Sequence, residues 1–165
     1  MTLTENLGLN IVLVEPEIPQ NTGSIGRLCL ATQSILHLIE PLGFEITDAQ
    51  LKRAGLDYWK HLKVLRYQNL NQFFETMPEN TPMVFLSKKA EKTFYEHRFL
   101  PGSFLFFGKE TKGLPGWLLE KYKDQTYKIP IFDNRVRSLN LANAVGIVVY
   151  EAIRQNIVRP NRTNS

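Results

Sequence analysis

Apolar residues fall into short runs that alternate with stretches of helical periodicity. Runs rich in β-branched and aromatic residues predict buried strands at Leu9–Val14, Ile35–Glu40, Lys63–Tyr67, Met83–Ser87, Ser103–Gly108 and Thr126–Ile131. Helical spacing predicts helices over Thr22–Gln33, Asp48–Arg53, Asn69–Met77, Pro115–Tyr122 and Leu139–Asn156. Strands that alternate with helical crossovers predict an α/β fold, with an open, mostly parallel sheet of about six strands and helices on both faces.

The last predicted helix is apolar on most of its faces. Its apolar residues are Leu139, Leu141, Ala142, Val145, Ile147, Val148, Val149, Ala152 and Ile153. A helix that is apolar all round has to be buried on all sides. In a chain of 165 residues a terminal helix achieves this most easily against a second subunit. We therefore expect a homodimer formed through the C-terminal helix.

Length and composition are those of one globular unit. With 43% hydrophobic residues, we expect a single domain over 1–158 and a solvated polar tail over 159–165. No apolar run approaches the roughly 20 residues that span a bilayer, and the first residues do not resemble a signal peptide. Cys29 is the only cysteine, so no disulfide can form within one chain, and we expect it to be buried. We expect a cytoplasmic protein with no membrane partner.

The formal net charge of +4 is compatible with a nucleic-acid partner but does not require one. The basic residues are grouped, and solvated helix faces would explain some of these groups. One group comprises Lys52, Arg53, Lys60, His61, Lys63 and Arg66, and another comprises Lys88, Lys89, Lys92, His97 and Arg98. Arg135 and Arg137 are different, because they stand beside polar residues of a candidate site.

Several common kinds of site are not supported by the sequence. No G-x-G-x-x-G follows the first predicted strand, and Glu110 stands where a P-loop would carry Ser or Thr. His37, His61 and His97 share no metal-ligand spacing, so we expect no metal and predict surface or half-buried positions for them. No pairing of a nucleophile with a base indicates hydrolysis.

Three polar segments each follow a predicted strand, namely Asn21–Arg27, Gly108–Gly113 and Pro130–Asn140. Because open α/β sheets bind ligands beyond the carboxyl ends of their strands, we expect the three to meet at one site. Gly108 and Gly113 would allow either a close approach to a ligand or a tight turn. Glu110 between them would suit ribose hydroxyls or a cationic centre.

Two residues in these segments have alternative interpretations. Ser138 could point into the site, could be the N-cap of the last helix, or could do both. Arg27 is near a predicted helix start, where its positive charge is unfavourable because the helix dipole is positive at that end. A bound phosphate or another anion would explain that placement, although a plain surface arginine is also possible.

The three segments resemble the motifs of a known enzyme family. Asn21-x-Gly23-x-x-x-Arg27, Phe107-Gly108-x-Glu110-x-x-Gly113 and Ile129-Pro130 through Ser138-x-Asn140-x-x-Asn143 are similar, in order and spacing, to those of the SPOUT superfamily of RNA methyltransferases. The resemblance is to its SpoU branch of 2′-O-ribose methylases. The strings EPEIPQNTG, HLIEPLGF and RAGLDYW are similar to its minimal tRNA (cytidine/uridine) 2′-O-methyltransferases, which act on the wobble nucleotide.

The resemblance implies a cofactor, a knot and roles for residues. It implies S-adenosyl-L-methionine, converted to S-adenosyl-L-homocysteine and bound in a C-terminal trefoil-type knot of a homodimer whose substrate is tRNA. The implied cofactor contacts are Leu86, Gly108, Ile129 and Ser138, with Glu110 and Leu139 nearby. The implied catalytic set is Arg27, supported by Asn21, Ser138 and Asn140. Because a guanidinium is not deprotonated in proteins, we expect Arg27 to bind phosphate and stabilise alkoxide charge rather than act as a base.

Two alternatives share this fold. One is 2′-O-methylation of ribosomal RNA, and the other is an RNA-binding protein that has lost catalysis. Relatives that act on ribosomal RNA often carry an extra RNA-binding domain, whereas here the first predicted strand already starts by Leu9. We therefore expect the dimer itself to bind tRNA through its basic clusters, with an affinity that decreases as the salt concentration rises. The presence of Arg27, Glu110, Ser138 and Asn140 favours an active enzyme.

Overall fold

The computed structural model describes residues 6–47, 49, 53 and 58–157. Its strands are β1 (Asn10–Val14), β2 (Ile35–Ile39), β3 (Val64–Tyr67), β4 (Met83–Leu86), β5 (Phe104–Phe107) and β6 (Thr126–Tyr127). Its α-helices are α1 (Pro19–Ala31), α2 (Leu70–Glu75), α3 (Gly116–Lys121) and α4 (Leu141–Ile157). Short 3₁₀ turns lie at Trp59–His61, Phe94–Glu96 and Lys123–Gln125.

The six strands form one sheet in the order β3-β2-β1-β5-β4-β6, and every neighbouring pair is parallel. The predicted α/β fold with a mostly parallel sheet is confirmed. The central strand β1 is buried along its whole length, because both faces of a parallel sheet are covered by crossover helices.

Helices cover both faces of the sheet, as predicted. On one face, Ile11 and Leu13 of β1 share a core with Ile25 of α1 and Val145 of α4. On the other face, the alternate residues of β1 share a core with residues of α2 and α3. The two-residue periodicity of the strand thus divides the hydrophobic core into two layers.

The end of the last strand differs from prediction for a visible reason. The last strand ends at Tyr127 rather than Ile131, because Lys128 leaves β4 and pairs with a neighbouring loop. Its amide donates to Lys92 O and its carbonyl accepts from Phe94 N, both at 2.9 Å. The predicted helix Asp48–Arg53 is almost wholly outside the described residues, as is the predicted tail. The knot stays a prediction.

The histidine and cysteine predictions have different outcomes. Cys29 is buried, as expected, whereas the surface or half-buried position predicted for His37 is wrong. His37 is buried and hydrogen-bonded at 2.9 Å to both Asn10 Oδ1 and Tyr67 Oη, so its polar atoms are satisfied inside the core. Burial, together with the charge of Lys63, lowers the pKa of His37 to about 4. His97 is half-buried and His61 is exposed.

Within the described ranges, no helix combines the length and apolar character needed to cross a membrane.

Candidate active site

A cleft of about 470 Å³ lies at the carboxyl ends of β4 and β5, beside the segment that follows β6. Segments far apart in the chain line it, including the ends of these two strands, the segment after β6 and the starts of α1 and α4. It contains every candidate site residue except Arg27: Asn21, Leu86, Gly108, Glu110, Ile129, Ser138, Leu139 and Asn140. The expectation that the three polar segments meet at one sheet edge is therefore confirmed.

The loop after β5 closes tightly on itself. Gly113 N donates to Lys109 O at 2.9 Å, and Gly113 has φ +70°, a conformation that favours glycine. A Cβ on Gly108 would lie 2.0 Å from Gly113 C and 2.1 Å from Leu114 N. Of the two roles left open by the sequence, the structure thus supports tight closure of the loop for both glycines.

Glu110 is the cap of α1, a role that local sequence does not reveal. The helix begins at Pro19 and its N-cap, Ile18, has no side-chain acceptor. The Glu110 carboxylate accepts from Glu17 N at 2.8 Å and from Ile18 N at 3.3 Å. A carboxylate at this end also complements the positive end of the helix dipole. This contact explains why the helix can start three residues before the predicted Thr22.

Glu17 in turn accepts hydrogen bonds from the loop that carries Glu110. Its Oε1 accepts from Thr111 N at 3.0 Å and from Thr111 Oγ1 at 2.7 Å, so each loop binds the other. These hydrogen bonds are the main reason that the pKa of Glu17 is below its ordinary value. Lys109 Nζ lies 3.7 Å from Glu15 Oε2 and adds a third link between the loops. The loops after β1 and β5 therefore form one braced unit beside the cleft.

Asn21 connects all three polar segments. Its Oδ1 accepts from Asn140 Nδ2 at 3.0 Å, and its Nδ2 lies 3.5 Å from Glu110 Oε1. Asn140 also caps α4, since its Oδ1 accepts from Asn143 N at 3.2 Å and its carbonyl accepts from Ala144 N at 2.9 Å. The possible N-cap role of Ser138 is thus wrong, because Asn140 takes that position and leaves Ser138 exposed at the cleft.

Arg27 lies outside the cleft lining. It is six residues after Asn21 in α1, which is about 9 Å along a helix axis. Its side chain is exposed, with Cζ 5.1 Å from the centroid of the Tyr58 ring. Trp59, the next residue, packs so closely on Gly26 that a Cβ there would lie 2.7 Å from the indole ring. The segment around Tyr58 and Trp59 therefore packs against the turn that carries Arg27.

The structure adds cleft residues that the sequence motifs do not include. Ser87, Lys88 and Lys89 line the cleft directly after β4, and Ile18 adds apolar surface. The three residues after β4 could have been found from the sequence, because Leu86 was predicted at the end of a strand. The residues that follow it had to lie at the same edge of the sheet.

The cleft combines apolar walls with a basic rim. Leu86 and Leu114 are buried in its wall, whereas Lys88, Lys89 and Lys112 are exposed around it. Such a site can hold an extended ligand with an apolar ring system and attract an anionic second ligand to its rim. Within the described residues, no three or more His, Cys, Asp or Glu side chains are grouped to hold a metal ion.

One known protein family matches most of the chain. Residues 8–150 match the SpoU rRNA Methylase family. The chain belongs to this family. It is also 44% identical over 148 residues to the tRNA (cytidine(34)-2′-O)-methyltransferase of Burkholderia cenocepacia (strain HI2424), covering 88% of this chain and 94% of that protein. The predicted SpoU-branch resemblance is confirmed.

Solved structures show the same fold. A protein whose structure concerns the 2-OH methylation of C/U34 on tRNA superposes with a TM-score of 0.87 at 45% identity, covering 92% of this chain and 97% of that one. AviRb, a SpoU methyltransferase from Streptomyces viridochromogenes solved with the cofactor AdoMet, superposes with a TM-score of 0.81 at 24% identity. That match covers 95% of this chain and 61% of AviRb, and shows a shared fold.

Proposed function

We propose that this protein transfers a methyl group from S-adenosyl-L-methionine to the ribose 2′-hydroxyl of the wobble pyrimidine, cytidine or uridine 34, in tRNA. The observation that carries the proposal is the Asn140–Asn21–Glu110 chain of contacts, which joins the three family motifs in one cleft. The relatives at 44% and 45% identity support the choice of nucleotide, since both concern position 34 of tRNA. We also propose a cytoplasmic location, since tRNA is the proposed substrate.

The residues of the cleft fit the cofactor. Its volume of about 470 Å³ is within the range of roughly 300–1,000 Å³ that is usual for small-molecule sites. Leu86, Ile129 and Leu139 offer apolar surface for the adenine ring, and Ser138 offers a hydroxyl. When bound, S-adenosyl-L-methionine supplies a methyl group on a positively charged sulfonium and leaves as S-adenosyl-L-homocysteine. The protein then has mainly to position the ribose and exclude water.

The Glu110 carboxylate has a structural part in this scheme. It is held by backbone amides at the start of α1, so it is fixed in place at the cleft wall. Asn21 is oriented by the same carboxylate and by Asn140. We propose that these two asparagines fix the relative positions of α1 and α4, between which the target ribose is placed.

Arg27 is proposed to bind the phosphate beside the target ribose and to stabilise the alkoxide charge that develops there. Its guanidinium is exposed and stays charged, and it offers a planar fork of donors that suits a phosphate. Because Arg27 lies about 9 Å along α1 from Asn21, it suits the RNA backbone rather than the floor of the cleft.

We also propose a homodimer formed through α4. One side of this helix is buried on the sheet through Val145, Val148, Val149 and Ala152. Its other side leaves Ile147 at 40% and Tyr150 at 53% exposure. Ile147→Lys is expected to yield monomers in analytical ultracentrifugation, because a charge would be buried in the interface. If the dimer persisted unchanged in this variant, the proposal that α4 forms the interface would be wrong.

The decisive experiment measures methyl transfer to defined RNAs. The purified protein is incubated with S-adenosyl-L-methionine and a tRNA that carries cytidine or uridine 34, and nucleosides are quantified by mass spectrometry. We expect 2′-O-methylation at nucleotide 34, a large loss of rate in Arg27→Ala and a smaller loss in Arg27→Lys. Methylation of ribosomal RNA alone would support a ribosomal RNA 2′-O-methyltransferase. Tight cofactor binding without transfer to any RNA would support an RNA-binding protein that has lost catalysis.

In a deletion strain, the wobble pyrimidines of total tRNA should lose 2′-O-methylation. Unchanged methylation there would refute the assignment to nucleotide 34.

A further inference from the structure

Phe132 is almost completely exposed beside the cleft. Its exposed fraction is 97%, more than that of any other exposed large hydrophobic residue in the described part of the chain. The residue before it, Ile131, lines the cleft, and the loop that it opens returns to the cleft at Ser138. Phe132 therefore lies in the loop that borders the cleft, with its ring open to contact by a second molecule.

The loop that carries Phe132 is held by its own hydrogen bonds. Asp133 Oδ1 accepts from Arg135 N at 2.9 Å, and the carbonyl of Asp133 accepts from Val136 N at 3.1 Å. The Arg135 guanidinium also donates to Asp133 Oδ2 at 2.6 Å. This turn fixes the backbone directly after Phe132 and leaves the ring outside.

Exposed cations occur in the same loop as the ring and on the cleft rim. The Arg135 side chain is 86% exposed in spite of its ion pair with Asp133, and Arg137 is exposed as well. Lys88 and Lys89 add two more exposed cations to the cleft rim. An exposed aromatic ring among cations is the arrangement that binds single-stranded nucleic acid, with stacking for the base and charge for the backbone.

We infer that Phe132 stacks on an unpaired base of the RNA loop that carries the target ribose. This inference rests on the proposed function and deepens it by naming a contact that holds the substrate. The target nucleotide lies in an anticodon loop, where bases are unpaired and can be splayed onto a protein surface. Stacking does not depend on base identity, which suits a site that accepts both cytidine and uridine.

The first test compares variants of Phe132 in methyl transfer to tRNA. Phe132→Ala is expected to raise KM for tRNA by roughly five- to hundredfold, the range that corresponds to the loss of one base stack. Phe132→Trp should restore most of the affinity, whereas Phe132→Leu, which keeps apolar surface but has no ring system, should not. Tyr95→Ala is the matched control, since Tyr95 is 59% exposed and lies outside the cleft lining.

Two further measurements separate stacking from other uses of the ring. The Kd for S-adenosyl-L-methionine and the sedimentation coefficient should be unchanged in Phe132→Ala. A weaker Kd would assign the ring to the cofactor, and dissociation into monomers would assign it to the partner subunit. Either result would overturn the inference while leaving the proposed function intact.

The second test is a double-mutant cycle with RNA. Anticodon stem-loops are prepared with an abasic site at each unpaired nucleotide of the loop in turn, and their Kd values are measured for the wild type and Phe132→Ala. If Phe132 stacks on one of these bases, the variant should lose affinity for intact RNA but not for the RNA that lacks its partner base. An undiminished effect of Phe132→Ala on every abasic RNA would refute the inference, and methylation of intact tRNA by the wild-type protein shows separately that the proposed function holds.

Discussion

Replacing Gly108 by alanine is predicted to disrupt the loop that forms the cleft wall. The new Cβ would lie 2.0 Å from Gly113 C, and contacts under 3.0 Å are essentially never seen, so the two backbones must separate by at least 3.0 − 2.0 = 1.0 Å. Overpacking usually costs about 1–3 kcal/mol. Because the obstacle here is backbone that cannot rotate away, we expect a loss in the free energy of unfolding near the upper end, about 3 kcal/mol.

The same displacement should also reduce activity. A shift of about 1 Å in positioning groups can reduce a rate about 100-fold, and this loop carries Glu110 and the cleft wall. Urea unfolding monitored by circular dichroism gives the stability, and methyl transfer to tRNA gives the activity.

Two other glycines provide matched controls for the same chemical change. Gly116→Ala adds a Cβ with nothing within 4 Å and should be neutral or slightly stabilising, by up to about 1 kcal/mol. Gly113→Ala adds no overlap but forces alanine to φ +70°, at a cost of roughly 1–2 kcal/mol. The reasoning would be refuted if Gly108→Ala matched Gly116→Ala in both stability and activity.

Three other predictions concern buried and capping groups. Because the pKa of His37 is lowered from 6.5 to about 4, the unfolded chain takes up a proton first as pH falls. The contribution of His37 to the free energy of unfolding should therefore be constant above pH 6.5 and decrease by up to about 3 kcal/mol towards pH 4, so urea titrations of His37→Gln should show a shallower slope than the wild type. Burial raises the pKa of the Cys29 thiol to about 12, so Ellman's reagent should label it only after unfolding, and rapid labelling of native protein would contradict this. Glu110→Gln weakens the cap of α1 and should reduce the free energy of unfolding by roughly 1 kcal/mol, with no change expected if solvent caps the helix equally well.

The sheet was predictable because its signal is local. Each strand is a short apolar run, and a strand buried on both faces has this pattern whichever strands lie beside it. The meeting of the three polar segments was also predictable, since parallel strands place all their carboxyl ends at one edge. The family resemblance added Leu86 and Ile129 as expected cofactor contacts, and both line the cleft together with Gly108.

The contacts that position the site were not predictable, because their partners are distant in sequence. Ile18 offers no cap, and nothing near it indicates that Glu110, 92 residues later, supplies one. Likewise, the predicted buried strand Ile35–Glu40 was a local sign that His37 is buried, but its hydrogen-bond partners Asn10 and Tyr67 come from two other strands and could not be predicted. Ser138 and Asn140 were both reasonable caps by residue type, and only the start of α4 decides between them.

These long-range contacts also explain why the three motifs belong together. Each motif taken alone is a turn or a helix start, and each would be stable in many folds. Here the Glu110 carboxylate caps α1, Asn21 of α1 bonds Asn140, and Asn140 caps α4. The two caps therefore depend on residues that also orient the cleft, so loss of Asn21 should disturb the positions of α1 and α4 relative to each other while leaving the sheet intact. The geometry of the site is in this sense a property of the contacts between motifs, which hold polar groups in place where a ribose has to be positioned for methyl transfer.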